Sequence, residues 1–313
     1  MNMQTKYLGM DLKNPLVPSA SPLSKEVDSA RRLEDAGAAA LVMYSLFEEE
    51  IRLEDEMLDD FFHQQEASGE AAGYRELPDG LCTAIDDYLM QIFRLKNALD
   101  IPVIASLNAD SLSAWVEHAP ELEESGADAI ELNIYHIPGS IGESGADVES
   151  LYIDTLKAVK AKVNIPVVMK LSQQFSSIPH MIHQLESAGA DGVALFNRFY
   201  QPSIDLDTLD VIPQIQLSSS SESLFSMRWI AFMRDQVKMT LACTSGIHSA
   251  DDAMRLLLAG ADVVHMCSAL LKNGPEFLGE VLQGMEQWME EKEYDSVEQL
   301  KGSVSRARAS DPS

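Results

Sequence analysis

Residues 188–197 of the chain read AGADGVALFN, and this stretch decides the fold. A Gly just past a helix adopts the left-handed conformation at low cost, so Ala-Gly-Ala-Asp indicates the end of a helix. The β-rich run GVALFN that follows indicates a buried strand. The stretch therefore predicts a helix, a short turn and a strand, in that order.

Further copies of this unit recur along the chain. They are Ala36-Gly37-Ala38, Ser125-Gly126-Ala127 and Ala259-Gly260-Ala261. The last two also continue with Asp, and each of the three precedes a strand-like run: LVMYS, AIELNI and VVHMCS. Ile-Pro-Val at 101–103 and at 165–167 marks two more strand starts, because Pro is tolerated at the first residue of a strand. Alternating strands and helices predict right-handed βαβ units and a parallel sheet.

The whole pattern predicts an α/β fold of the (β/α)8 TIM-barrel type. The predicted strands lie at about 15–20, 40–45, 102–107, 128–134, 166–171, 192–197, 239–244 and 262–267. Residues 5–13 predict an N-terminal β-hairpin that closes one end of the barrel, and residues 295–302 predict a final short helix. We therefore expect residues 1–313 to form a single domain.

Two connections are longer than ordinary βα loops, and both follow the carboxyl ends of strands. Residues 46–80, after the second strand, contain the acidic run FEEEIRLEDEMLDDFF, and residues 198–222 follow the sixth strand. Long loops in a compact domain often act as lids or binding loops, which is the prediction for both. A solvated helix face is the alternative for the acidic run.

Composition excludes several classes of partner and site. A net charge of -27 and a pI near 4.4 argue against nucleic acid and anionic membrane surfaces as partners. The 3 cysteines lack the spacing of a metal site, so we expect no metal and a reducing compartment. No apolar run is long enough to span a bilayer, and we expect a cytoplasmic protein.

Polar residues gather at the predicted strand ends, where barrel enzymes place their chemistry. The candidates are Ala20, Ser21, Ser106, Asn133, His136, Lys170, Asn197, Ser245, Gly246, Cys267 and Ser268. A Lys inside the apolar run VVMKL is costly to bury without a partner, which favours a functional role. The two Asn side chains could instead satisfy backbone groups, and the His could be structural. The loops after the last two strands, with a helix starting near Ala269, predict a phosphate site.

With these residues in place, the chain resembles the dihydroorotate dehydrogenase family of FMN-dependent barrels. The resemblance runs from PLVPSAS to the C-terminal helix and is strongest in ELNIY, IPVVMKLS, GVALFNR, TSGIHSADDA and CSALLKNGP. It implies a bound FMN. Lys170 matches the lysine near flavin N1, and Asn133 and Asn197 match amides that hold flavin and substrate. Ala20 and Ser21 match residues along the flavin, Ser106 matches a polar position of the third strand, and Ser245-Gly246 and Cys267-Ser268 match the phosphate loops.

The sequence departs from the family at three places. Met43 stands where the family usually has a lysine in the second strand. The Asn-rich loop that helps to hold orotate has no clear match in residues 46–80. His136 stands where the family has its catalytic Cys or Ser, three residues after the Asn of the fourth strand. A His is a competent acid or base near neutral pH.

The resemblance implies an oxidoreductase of pyrimidine metabolism that acts on a CH–CH bond of a dihydropyrimidine-like substrate. Hydride would pass to flavin N5, with His136, Lys170, Asn133 and Asn197 as catalytic candidates. Two alternatives stay open: an aldolase-like lyase with Lys170 as its Schiff-base residue, and a flavin-binding protein without dehydrogenase activity. The electron acceptor stays open among a small soluble molecule, NAD(P) and a partner subunit. The family makes a homodimer the expected assembly.

Overall fold

Eight parallel strands form a nearly closed ring at the centre of the computed structural model. The structure describes residues 1–53, 83–109, 112–199, 201–214 and 216–309. The strands, in chain order, are β1 (Thr5–Tyr7), β2 (Met10–Leu12), β3 (Leu16–Pro18), β4 (Leu41–Phe47), β5 (Val103–Ala109), β6 (Ala129–Ile134), β7 (Val167–Leu171), β8 (Gly192–Leu195), β9 (Gln201–Ile204), β10 (Val211–Gln214), β11 (Thr240–Thr244) and β12 (Val263–Met266). The order β3-β12-β11-β8-β7-β6-β5-β4 in the large sheet confirms the predicted (β/α)8 barrel.

Helices follow the barrel strands and cover the outside of the ring. In the described ranges they are α1 (Val27–Asp35), α2 (Ala84–Ala98), α3 (Leu112–Glu124), α4 (Gly145–Lys160), α5 (Ile178–Ser187), α6 (Ser223–Met233), α7 (Ala250–Ala259), α8 (Ser268–Asn273), α9 (Phe277–Glu291) and α10 (Val297–Leu300). Residues 48–53 are also helical. None of the helices in these ranges is both long and apolar enough to cross a membrane.

The seam between the first and last strands of the sheet is closed by single hydrogen bonds. The N–H of Ala39 donates to the carbonyl of Leu16 at 3.0 Å. Further along, the N–H of Tyr44 donates to Ser24 Oγ at 2.7 Å. The ring is therefore continuous around its circumference although β3 and β4 form no ladder.

The inside of the barrel is filled at its N-terminal end by small apolar side chains. Each barrel strand contributes to this filling: Val17, Val42, Ile104, Ala129, Val168, Ala194, Ala242 and Val263. The predicted hairpin, β1 with β2, closes the end by adding the buried side chains of Tyr7, Leu8 and Leu12. We call these residues together the apolar plug. Because the plug fills this end of the barrel, a cavity can form only towards the carboxyl ends of the strands.

The Asp of each Gly-Ala-Asp copy joins two neighbouring strands. Its Oδ2 atom accepts a hydrogen bond from a backbone N–H near the start of the preceding barrel strand. The pairs are Asp128 with Val103 at 2.7 Å, Asp191 with Val167 at 2.8 Å, and Asp262 with Leu241 at 2.8 Å. Each carboxylate also binds a cation: Lys96 for the first, Lys160 for the second, and Arg234 with Lys301 for the third. The repeat is therefore a strand-joining device as well as a helix stop.

A Glu three residues before the Gly caps the next turn in three of the four copies. Glu34 Oε1 accepts the N–H groups of Asp100 and Ile101 at 2.7 and 3.0 Å. Glu123 does the same for Asn164, and Glu186 for Met239. These carboxylates satisfy backbone donors that would otherwise lack a partner at the turns.

The two long connections have different outcomes. Most of the first, residues 54–80, lies outside the described residues, so its prediction as a lid stays untested. Within residues 198–222, β9 and β10 pair as an antiparallel hairpin, and Ser220–Glu222 forms a 3-10 turn. This segment stands over the carboxyl ends of the strands, as the next section describes.

We expect Asp191→Ala to lower the free energy of unfolding by about 2 kcal/mol, because a buried backbone N–H and Lys160 both lose a charged acceptor. Chemical denaturation followed by circular dichroism measures the change. The control is Asp154→Ala, an exposed Asp on α4, which should change stability by less than about 0.5 kcal/mol. Equal stability of the two variants would contradict the strand-joining role.

Candidate functional site

Two adjoining cavities open at the carboxyl ends of the barrel strands. The first has a volume of about 180 Å³ and lies against the loops after β11 and β12. The second has a volume of about 280 Å³ and lies against the ends of β4, β5 and β6. Both are lined by Ala20, Lys170, Asn197, Arg198, Cys267 and Ser268. The shared wall makes them two parts of one elongated site.

Lys170 forms the floor that the two cavities share. Its side chain is 8% exposed, and its Nζ lies 3.1 Å from Oε1 of Glu131, which is fully buried. Ser106 Oγ lies 3.4 Å from the same oxygen. The structure thus brings two of the predicted residues, Lys170 and Ser106, to one carboxylate. Sequence reasoning assigned no role to Glu131, although an acidic residue inside the buried run AIELNI was the available signal.

His265 is a further residue of the cavity floor that sequence reasoning missed. It is 1% exposed, lines the first cavity and lies with Nδ1 4.0 Å from Glu131 Oε2. Neither ring nitrogen has a hydrogen-bond partner among the described residues. Burial lowers the pKa of His265 to about 4, so the ring is neutral at pH 7. Below it, the Tyr7 ring stands edge-on with its centroid 5.7 Å away.

Two predicted amides meet at the wall of the second cavity. Asn197 Nδ2 donates to Asn133 Oδ1, and Asn197 Oδ1 accepts the N–H of Arg198 at 2.9 Å. Both residues line the second cavity. The pair fixes the orientation of both groups, while their role in binding stays a prediction.

The two predicted phosphate loops form a polar cradle at the first cavity. Ser245, Gly246, Cys267 and Ser268 all line it, and Gly246 has a φ of 82°. A Cβ at this Gly would lie 2.3 Å from the backbone nitrogen of Ser223, so only Gly fits. The helix after the second loop, α8, begins at Ser268, one residue before its predicted start near Ala269.

Ser218 joins the cradle from the 198–222 segment. Its Oγ lies 2.9 Å from His248 Nε2, and its N–H donates to Ser268 Oγ at 3.0 Å. Lys272 Nζ donates to its carbonyl oxygen at 3.2 Å. Burial, with the nearby charge of Lys272, lowers the pKa of His248. Sequence reasoning gave neither Ser218 nor His248 a role, because only the folded chain brings the segment against the last two loops.

Ala20 and Cys267 face each other across the shared wall, where the thiol lies 3.9 Å from the carbonyl oxygen of Ala20. Ser21 is buried and does not line either cavity; its carbonyl accepts a hydrogen bond from Ser24 Oγ at 3.0 Å. Ser106 is fully buried as well and bonds to Ser45 Oγ at 2.9 Å. Neither Ser21 nor Ser106 lines the two cavities, so their direct contact with a ligand stays a prediction.

The structure does not bring His136 to the cavities. Its Nε2 atom pairs with Oε1 of Glu143, and the cavity-lining residue of this loop is its neighbour Tyr135. The Tyr135 ring stands edge-on to Phe199, with centroids 4.5 Å apart. The catalytic role of His136 stays a prediction that requires its ring to turn from Glu143 towards the second cavity.

Met43 lies on the outer face of the barrel, where it is fully buried in the core between strands and helices. The pairing of β4 with β5 is irregular between Val42 and Ser45, which brings Ser45 rather than Met43 to the cavity. Met43, which the resemblance matches to the family lysine, does not line either cavity.

The chain is similar to known proteins over nearly its whole length. A family model described as dihydroorotate dehydrogenase matches residues 2–289. The chain is similar to the catalytic subunit of dihydroorotate dehydrogenase B (NAD(+)) from Pyrococcus abyssi, at 27% identity over 96% of this chain and 98% of the relative. It is also similar to proteins of the same name from Methanothermobacter thermautotrophicus and Shouchella clausii, at 25% and 26% identity, each over 96% of this chain and 97% of the relative.

We expect Cys267 to react slowly with iodoacetamide at neutral pH. Burial raises the pKa of this thiol, so less of the reactive thiolate is present at neutral pH. The rate of its modification should therefore still rise above pH ~8.5, the ordinary pKa of a cysteine thiol. Peptide mass spectrometry across a pH series measures it. Cys243 is an internal control, because burial raises its pKa to about 12 and it should stay unmodified in the folded protein. A rate for Cys267 that levels off below pH ~8 would contradict this expectation.

Proposed function

The chain belongs to the dihydroorotate dehydrogenase family, and we propose that it is an FMN-dependent oxidoreductase acting on a CH–CH bond of a dihydropyrimidine-like substrate. The observation that carries the proposal is the position of Lys170. This cation lies on the floor shared by a cradle suited to a phosphate and a pocket bordered by two amides. A flavin mononucleotide has the matching division into an anionic end and a ring that accepts hydrogen bonds.

The chemistry of the donors at the first cavity fits FMN. Gly246 packs so closely against the backbone of Ser223 that no larger residue fits, which fixes the loop after β11 where it lines the first cavity. The buried His265 ring offers hydrogen-bonding atoms that no described residue uses. We propose that Ser245-Gly246 and Cys267-Ser268 hold the phosphate, and that Ala20 borders the ring.

FMN, when bound, supplies the hydride acceptor of the reaction. The residues of the chain would do the rest. The Lys170 ammonium would stabilise negative charge that develops on the ring, because a fixed cation in a site shielded from water is effective. Asn133 and Asn197, held together by their mutual hydrogen bond, would orient the substrate. His136 would move the proton on the carbon next to the hydride donor, with Glu143 holding its ring between turnovers.

The state of Lys170 favours this function over the aldolase-like alternative. A Schiff base forms from an uncharged amine, whereas this amine is ion-paired with a buried carboxylate. The second alternative, a flavin-binding protein without dehydrogenase activity, is favoured by the contact of His136 with Glu143 rather than with a cavity. The names of the relatives from Pyrococcus abyssi and Methanothermobacter thermautotrophicus contain both NAD(+) and the words catalytic subunit, so among the electron acceptors considered they favour NAD(+) and a partner subunit. A homodimer stays an expectation from the family.

We expect the purified protein to carry FMN and to be yellow. We expect Gly246→Ala to weaken FMN binding at least ~10-fold, about 1.4 kcal/mol. The reason is that the new side chain introduces strain of about 1–3 kcal/mol beside the phosphate cradle. Titration of the apoprotein with FMN, followed by flavin fluorescence, measures the affinity. Gly145→Ala is the control, because a Cβ there meets nothing within 4 Å. A colourless protein that gains no thermal stability from added FMN would refute the proposal.

We expect His136→Ala to retain FMN but to slow flavin reduction by the substrate roughly 10²–10⁴-fold, the usual loss for an acid–base residue. Anaerobic stopped-flow measurement of flavin bleaching, with dihydroorotate and other dihydropyrimidines over a pH series, tests this. His136→Cys should restore part of the rate with dihydroorotate. The matched control is His118→Ala, which removes a His that pairs with Glu121 at 2.9 Å on an outer helix. Wild-type rates for His136→Ala at every pH would assign the residue a structural role.

A further inference from the structure

A layer of polar side chains separates the apolar plug from the cavities. It consists of Ser106, Glu131, Lys170 and His265, which are all buried. Lys170 and His265 reach the first cavity, whereas Glu131 lies behind them and does not line either cavity. A carboxylate in this position cannot touch a ligand directly, so any functional effect must act through its neighbours.

Lys170 is the counter-ion of the Glu131 carboxylate. Oε1 accepts from Lys170 and Ser106, while Oε2 has no hydrogen-bond partner among the described residues. His265, 4.0 Å away, is neutral because burial lowers its pKa to about 4. Burial, and after it the charge of Glu131, raises the pKa of Tyr7 in the plug, so its hydroxyl stays protonated.

Lys170 in turn depends on Glu131. A buried cation needs an opposite charge close by, and Lys170 is buried. The other cation at the cavity wall, Arg198, is bound to Glu222 at 2.9 Å, and its like charge gives Lys170 no support. Glu131 is the carboxylate that meets this need, and its contact at 3.1 Å also fixes the position of the ammonium group.

We propose that Glu131 is a positioning residue that holds the Lys170 ammonium at the cavity floor and offsets its charge, and thereby sets the preference of the site for reduced over oxidised flavin. The second half of this inference rests on the proposed function, while the first half does not. The neutral His265 carries no charge that could replace the Glu131 carboxylate as the partner of Lys170.

The first experiment uses the apoprotein and needs no flavin. Reductive methylation by formaldehyde and cyanoborohydride modifies uncharged amines, and peptide mass spectrometry gives its rate at Lys170. Glu131→Gln keeps the shape of the side chain but removes its charge, so the labelling rate should rise at least ~10-fold, the factor that corresponds to one unit in amine protonation. Glu131→Asp, which retains the charge, should stay closer to the wild-type rate than to that of Glu131→Gln.

The second experiment measures the flavin reduction potential. Glu131→Gln should raise the preference for reduced flavin roughly tenfold, about 30 mV for a two-electron couple, because a carboxylate no longer offsets the charge of Lys170. Lys170→Met should shift the potential in the opposite direction, because it removes the cation at the cavity floor and leaves the carboxylate. Lys301→Met is the matched control: it breaks another buried pair, Lys301 with Asp262 at 2.9 Å, at the opposite end of the barrel, and should change neither readout.

If Glu131→Gln does not fold, thermal stability supplies the test. Lys170→Met alone leaves a buried carboxylate unpaired, so the double variant with Glu131→Gln should melt at a higher temperature than Lys170→Met. A labelling rate and a potential that match the wild type in a folded Glu131→Gln protein would overturn the inference, as would a double variant that melts lower. If no flavin binds, the proposed function fails, and the labelling rates alone decide the role of Glu131.

Discussion

The barrel depends on one repeated interaction, the hydrogen bond that a backbone N–H near the start of a strand donates to the Asp carboxylate before the next strand. Asp128, Asp191 and Asp262 each make this bond next to a basic side chain. A parallel strand needs its register set at one end, because a shift by one residue would turn every inward side chain outward. The three carboxylates set that register, and the alternation of inward residues from plug to polar layer to cavity follows from it.

The repeat explains why the strands could be predicted well from the sequence. Each predicted strand overlaps an observed one, because glycine chemistry and apolar runs are local properties. The site was harder to predict, because its contacts join residues that are far apart in the sequence. Lys170 could be identified from its own strand, but its partner Glu131 lies on the neighbouring strand and could be paired only through the register of β6 and β7. Val42 faces the plug, so alternation along β4 turns Met43 outward, whereas the cavity position of Ser45 results from the irregular pairing of β4 with β5, which apolar periodicity does not reveal.

His136 illustrates a different limit of sequence reasoning. Its spacing from Asn133 matches the family pattern, but spacing does not determine which way a loop side chain points. Glu143 is a competing partner seven residues further on. The residue that borders the cavity is Tyr135, whose aromatic contact with Phe199 depends on the segment after β8. Contacts between two loops depend on the completed fold and have no counterpart in a local pattern.

The 198–222 segment has its own internal support, and this has an evolutionary consequence. Arg198 binds both Glu222 and the carbonyl oxygen of Gln216, so one side chain ties the two ends of the segment together. Residues of the segment face the second cavity, while the strands below supply the floor. Drift in the segment can therefore alter which molecules the enzyme accepts while the charged floor is inherited intact. Paralogues of this chain should diverge first in ligand selectivity and only later in redox chemistry.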